Sequence, residues 1–184
     1  MAKLVSATYG DSLFEVAVEQ DMVDVLYEEA DAVLTAYHDN EELAVFLNHP
    51  KIVKDEKIKV IENVFNQFVS REMTGFLITV VTKDRADELE NILSYFIDRV
   101  KEYKKIGVAY VTTPSELSDE TKAKIVEKLL ATTAYVSFEM HYIVDESLIG
   151  GMVIRIGDRV IDSSIRTKLT NLSRELYKIS ITNE

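Results

Sequence analysis

A chain of 184 residues with 47% hydrophobic and 29% charged side chains has the composition of a soluble globular protein with one large or two small domains. It has no cysteine, which excludes disulfides, thiolate zinc sites and a thiol nucleophile and is compatible with a cytosolic location; it has no apolar run near the ~20 residues that cross a bilayer, and the opening MAKLVSATYGDSLFEVAVEQ lacks the features of a signal peptide. The net charge of -11 is uneven, with one basic side chain, Lys3, against eleven acidic ones in residues 1–49, which argues against nucleic acid and anionic lipid as partners of that half and suits a partner with basic or apolar faces.

Residues 1–105 read as helix throughout, with Gly10, Gly75 and Pro50 as the only breakers. The first helix is apolar on two sides: Leu4, Ala7, Phe14 and Val18 form one stripe, and Val5, Tyr9, Leu13 and Ala17 another. MVDVLYEEADAVLTAY places Leu26, Ala30, Val33, Leu34 and Tyr37 on one stripe, a helical period. Asp39 or Asn40 is expected to cap the short EELAVFLN helix, which His49-Pro50 closes. DEKIKVIENVFNQF offers Ile61, Val64, Phe65 and Phe68 to a core; ADELENILSYFIDRVKEY offers Leu89, Ile92, Leu93, Phe96, Val100 and Tyr103. Between them MTGFLITVVT is apolar nearly all round. Short connections favour antiparallel neighbours, so a six-helix bundle is predicted.

The pattern changes at Lys104-Lys105-Ile106-Gly107. IGVAYVTT is short and rich in β-branched residues and reads as a strand. SELSDETKAKIVEKLL reads as a helix with Ser118 at its N-cap and Asp119 and Glu120 in its first turn. In YVSFEMHYIV, Val136, Phe138, Met140, Tyr142 and Val144 alternate with Ser137, Glu139 and His141, the period of a half-buried strand. Met152, Ile154 and Ile156 then alternate with Val153 and Arg155; Gly157-Asp158 suits a type II′ hairpin turn, and Arg159, Val160 and Ile161 form the return strand. Asp162 or Ser163 is expected to cap a final helix whose buried stripe is Ile165, Leu169, Leu172 and Leu176. The predicted fold class is α+β: a helical bundle over residues 1–105 and a small α/β domain over residues 106–184.

Chemistry-bearing patterns are absent. His38, His49 and His141 fall in three different elements, none at metal-ligand spacing. No serine sits in a G-x-S-x-G elbow, and GGMVIRIG matches neither G-x-G-x-x-G nor the P-loop pattern. Phosphate loops lead from a strand into a helix, whereas Gly150-Gly151 leads into a strand. No metal, cofactor or small-molecule substrate is expected. The surplus apolar surface on the first helix and on MTGFLITVVT reads either as a central place in the bundle or as a groove for an amphipathic helix of another protein.

VDESLIGGMVIRIGDRVIDSSIRTKLTNL carries an acidic residue, a Gly-Gly pair, a Gly-Asp turn and Ile-Asp-x-Ser-hydrophobic in order. In this it resembles the delta subunit family of bacterial F-type ATP synthases, relatives of the mitochondrial oligomycin-sensitivity conferral protein. FLNHPKIVKDEKIKVIENVF, FLITVVTKDRADELENI and TYGDSLFEVA are similar to that family's fourth-helix, fifth-helix and opening regions, so the likeness covers essentially the whole chain. The chain departs from it at Gly10, Asp11 and Ser12, where the family has small alanines; glycine there costs a helix interior about 1 kcal/mol.

The resemblance implies a non-catalytic subunit of the peripheral stalk, peripheral to the cytoplasmic face of the bacterial membrane within the complex that makes ATP from proton flow. It implies that residues 1–105 hold the N-terminal helix of an alpha subunit against the first and fifth helices, and that residues 106–184 bind the C-terminal end of the b-subunit stalk. The expected head-facing residues are Tyr9, Leu13, Ala17, Phe76, Leu77 and Val80; Arg155, Arg159 and Arg166 are the stalk-facing candidates. Two further readings stay open here: a helix-binding adapter of another complex, and an enzyme holding a nucleotide at the glycine stretch.

Overall fold

In the computed structural model, which describes residues 2–170 and residue 172, the apolar periodicity of the first part becomes six α-helices: α1 (Ala2–Glu19), α2 (Val23–Asp39), α3 (Glu41–Asn48), α4 (Lys54–Phe65), α5 (Arg71–Thr82) and α6 (Leu89–Tyr103), with a 3-10 turn (Ala86–Glu88) before α6. They enclose one core. α2 supplies Leu26, Ala30, Val33 and Tyr37; α5 supplies Met73, Leu77, Val80 and Val81; α6 supplies Leu89, Ile92, Leu93, Phe96, Ile97 and Val100. α1 adds Leu13 and Ala17. Removing such side chains from water contributes roughly 1.5–3 kcal/mol each for the larger ones.

Three core expectations change. Val64 is exposed because α4 turns Ile61 and Phe65 to the core and leaves Val64 on the flank; Phe68 is exposed because α4 ends at Phe65 and Phe68 lies past the last helical turn. Tyr103 is exposed too, but its ring meets Phe14 edge-on at 5.4 Å and 71°. Asn40 occupies the N-cap of α3 without capping it; its Nδ2 instead donates to the Ala36 carbonyl at the end of α2. Two helix ends rely on aspartate. After α1, Asp21 takes φ 55° and Met22 N–H reaches back to Ala17 O at 2.8 Å; after α5, Asp84 takes φ 55° and Arg85 N–H reaches Val80 O at 3.0 Å. Both are left-handed turns of the kind that satisfy a helix's last carbonyls, and Asp is among the few non-glycine residues that enter that region readily.

Contacts divide the chain at Tyr103/Lys104. The second unit holds β1 (Ile106–Thr113), α7 (Asp119–Thr132), β2 (Ser137–Val144), β3 (Val153–Ile156) and β4 (Arg159–Asp162), in sheet order β2-β1-β3-β4. β1 and β2 are parallel; β3 pairs antiparallel with β1 and β4. α7 makes the crossover that a parallel pair needs. Ser118 caps it as predicted, accepting from Thr121 N–H. Ile125 and Leu129 of α7 pack with Ala109, Val111, Ile154 and Ile156, and Phe138, Met140 and Tyr142 join from β2. Glu139 and His141 take the other face, 2.9 Å apart, with the imidazole stacked on Tyr110 at 4.8 Å.

The glycine stretch is a hairpin and a helix start. Gly157 has φ 54°, Asp158 is not left-handed, and Ile156 pairs with Arg159, which is the geometry of a type II′ turn. Gly151 has φ 84°, and a Cβ on it would strike the Ser163 carbonyl oxygen. That close approach lets Ser163 N–H reach Met152 O and Ile165 N–H reach Gly150 O, each at 2.9 Å. The cap of the following helical segment, 165–170, is Ser164, one residue beyond the expected positions: its Oγ accepts from Thr167 N–H. Asp162 supports it by accepting from Thr167 Oγ1 and Ser164 N–H, and those two bonds hold its carboxyl below the ordinary aspartate value. Gly150-Gly151 leads into β3 rather than into a helix, and the N–H groups of Ser163, Ser164, Ile165 and Thr167 at the helix start are already bonded within the chain, so this stretch lacks the strand-to-helix form of a phosphate loop. The expected buried stripe on this segment is also corrected: Ile165, Leu169 and Leu172 are all exposed. Leu176 lies outside the described residues.

Candidate functional site

The surplus apolar surface of α1 resolves into two uses. Ser6, Gly10, Leu13 and Ala17 are buried, and α1 packs closely along α6. Phe14, on the flank, lies against Tyr103 and under the Arg99 guanidinium at 5.6 Å. The next strip around α1 faces α5 across an open recess of about 310 Å³. Tyr9, Ser12, Leu13 and Val16 line it from α1, and Glu72, Gly75, Phe76 and Thr79 from α5.

This recess is apolar in practice although it contains hydroxyls. Ser12 Oγ donates to Thr8 O and Thr79 Oγ1 to Gly75 O, both at 2.8 Å. The Ser12 and Thr79 hydroxyl hydrogens are thereby spent on their own helices, which leaves the phenol of Tyr9 as the hydroxyl donor on the lining. What remains are two aromatic rings, a valine, a threonine methyl and the carboxylate of Glu72 at the edge.

The walls are held from behind by polar contacts. Glu29 on α2 accepts from both Ser70 N–H and Ser70 Oγ at 2.7 Å, while Ser70 Oγ accepts from Met73 N–H; this fixes the start of α5. On the other side Tyr95 of α6 donates its hydroxyl to Asp11 of α1 at 3.2 Å, and Arg99 lies 3.6 Å from the same carboxylate. Burial, then the Asp11 charge, pushes the Tyr95 phenol above its usual value.

The structure divides the expected head-facing residues. Tyr9 and Phe76 are half-buried and line the groove. Leu13 forms its floor and is 2% exposed; Ala17, Leu77 and Val80 are core side chains at 0–1% exposure and present no surface. The physical reason is helical drift. A step of four residues advances about 40° beyond a full turn, so the series Val5, Tyr9, Leu13, Ala17 wanders from groove to core. Ser12, Val16, Glu72, Gly75 and Thr79 complete the lining; the small or polar character of all but Val16 hid them from an apolar stripe, and Val16 falls between the two stripes read on α1.

Two other recesses flank α3. One of about 400 Å³ is lined by Asn48, Lys57, Asp84 and Asp87 over Leu47, Pro50, Val81 and Ala86. The other, about 420 Å³, is a shallow face of Val45, Phe46 and Ile52 bordered by Glu41, Glu42 and His49. The first carries the charged Lys57, Asp84 and Asp87 on its lining, and the second rests on α3 and the turn after it. In the second unit the three candidate arginines do not share a surface. Arg155 pairs with Val160 and Arg159 with Ile156 in the ladder, which sends the two arginines to opposite faces of the sheet. Arg166 stands on the segment after the sheet, among the exposed Ile165, Leu169 and Leu172.

Comparison with known proteins gives one answer. Residues 5–176 match the family model for the ATP synthase delta (OSCP) subunit. The ATP synthase subunit delta of Lachnoclostridium phytofermentans is 52% identical over 181 residues, covering 98% of this chain and all of that one. The subunit delta of Bacillus cytotoxicus is 33% identical over 176 residues, covering 96% and 97%. Among solved structures, a chain of the Toxoplasma gondii mitochondrial ATP synthase hexamer shares the fold with a TM-score of 0.73 at 21% identity, over 94% of this chain and 97% of that one.

Proposed function

The chain belongs to the ATP synthase delta (OSCP) subunit family, and from that premise we propose that its α1/α5 groove grips the N-terminal helix of an alpha subunit. The family's members are non-catalytic components of the peripheral stalk of F-type ATP synthase, and the chain takes part in ATP synthesis and ion transport as one of them. In this reading residues 1–105, a six-helix bundle, hold the catalytic head, and residues 106–184 hold the C-terminal end of the b-subunit stalk. No helix of the described residues is long and apolar enough to cross a membrane; the protein is a peripheral part of the complex, and we place it at the cytoplasmic face of the bacterial membrane.

The observation that carries the proposal is the largely apolar groove with aromatic walls between two pinned helices. A stator must resist rotor torque without letting go, so slow dissociation matters more than rapid exchange. Apolar anchors in a water-excluding recess serve that end. For the stalk, the exposed stripe Ile165, Leu169 and Leu172 supplies the apolar grip, with Arg166 beside it. Arg155 and Arg159, on opposite sheet faces, cannot both join that surface.

The test is reconstitution. Membranes stripped of the head regain coupled ATPase on addition of the head with this protein and not without it. Peptide binding locates the site. Leu13→Glu or Leu77→Glu would bury a charge in the core and unfold the bundle, so neither probes the surface. Phe76→Ala removes a half-buried groove ring, and the affinity for a peptide copying the N-terminal helix of an alpha subunit is expected to fall by about tenfold or more. Unchanged affinity in the folded variant moves the site away from this groove.

A further inference from the structure

We propose that Gly75 is a hole in the α1/α5 groove that receives an apolar side chain of the docked helix. The proposal rests on the reading that this groove binds the helix of an alpha subunit, and it adds where on the groove the fit is decided.

Gly75 sits in the interior of α5, exposed to solvent. Glycine is the poorest helix former short of proline, so a position like this asks for a reason. The other five glycines have theirs within the chain. A Cβ on Gly10 would collide with the Tyr95 ring, on Gly107 with Phe138, on Gly150 with Ile165 and on Gly151 with Ser163; Gly157 takes φ 54°. Gly75 has neither reason: its φ is not positive, and beyond its chain neighbours and its own helix backbone no heavy atom lies within 4 Å of where its Cβ would stand. The empty space is on the groove side, because Gly75 lines the recess with Glu72, Phe76 and Thr79.

The surroundings say what fits. Ser12 is the small residue on the opposite wall, Tyr9 and Phe76 supply aromatic surface, and Val16 an aliphatic one. The Gly75 carbonyl already accepts the Thr79 hydroxyl, so the glycine offers its missing side chain rather than a bare backbone acceptor. An apolar knob from an amphipathic helix fills such a hole. The rim adds a charge preference. Glu72 borders the recess, and α1 carries the exposed Glu15 and Glu19 with no basic side chain after Lys3, so the occupant's polar flank is basic.

The consequence is a pair of effects with opposite signs. Filling the hole with a methyl group improves the helix and obstructs the guest. A residue with only a structural role would move stability and affinity together.

The experiment uses the full chain with Gly75→Ala and Gly75→Leu. Each variant is melted alone and titrated with a synthetic peptide copying the N-terminal helix of an alpha subunit. Gly75→Ala is expected to melt about 2–4 °C higher than the parent and to bind about 3- to 10-fold more weakly. Gly75→Leu is expected to stay folded, with binding weakened by roughly 30-fold or more. Parent-like affinity in Gly75→Ala overturns the proposal while leaving the groove reading intact. A Gly75→Leu variant that melts well below the parent also overturns it, because the position would not be empty in the free chain. A parent protein that does not bind the peptide removes the groove reading itself, and the proposal with it.

Discussion

Gly10 lies within α1, buried against α6, where the Tyr95 ring occupies the place of its Cβ. Alanine would gain about 1 kcal/mol of helix propensity, but forcing a methyl group into that ring costs about 1–3 kcal/mol. We expect Gly10→Ala to lower stability in a urea titration, and we expect the sign to reverse in a Tyr95→Ala background, where the obstruction is gone and the propensity gain remains. Additive effects across that cycle would show that the two residues do not compete for the same space. Next to the glycine, Asp11 meets the same Tyr95 through its hydroxyl and the Arg99 guanidinium, so Gly10 and Asp11 both pack on one side chain of α6.

At the level of elements, what the chain encodes locally was legible. Ser118 caps α7 and Gly157-Asp158 makes the II′ turn, because each depends on residues within four positions. The alternation of β2 and the stripes of α2 and α6 were legible for the same reason. What each apolar face meets was not. α1 spends its surface on α6 and on a groove, a division set by residues far along the chain, and the Ile165, Leu169, Leu172 stripe meets solvent instead of the sheet. Three large aliphatic side chains in line, between 42% and 57% exposed, form a face suited to another helix. If the stalk docks there, Leu169→Glu leaves the melting temperature near the parent's, because the side chain packs on little, and weakens binding of a peptide from the C-terminal end of the stalk helix by about tenfold or more. A folded Leu169→Glu protein with full stalk affinity would reassign the stripe.

Across the whole molecule the charge is as unequal as the secondary structure. Residues 1–103 hold 21 acidic and 10 basic side chains, whereas residues 104–184 hold 11 of each. The helical unit thus carries the entire excess, while its groove is walled by uncharged side chains except Glu72. These two facts assign different tasks to charge and to apolar contact. A diffuse acidic surface attracts a basic helix from a distance and sets how fast it arrives. In the proposed binding mode the groove, once closed over the guest, sets how slowly it leaves. Salt screens the first and barely touches the second, since the Debye length shrinks from about 14 Å at 50 mM to about 4 Å at 500 mM. The association rate of a peptide copying the N-terminal helix of an alpha subunit is therefore expected to fall roughly tenfold over that range, while the dissociation rate changes by less than about twofold. Stopped-flow mixing and surface-based dissociation measure the two separately. A dissociation rate that rises with salt as steeply as association falls would mean that ion pairs, not the recess between α1 and α5, hold the head. A flat association rate would reduce the acidic surface to a device for solubility.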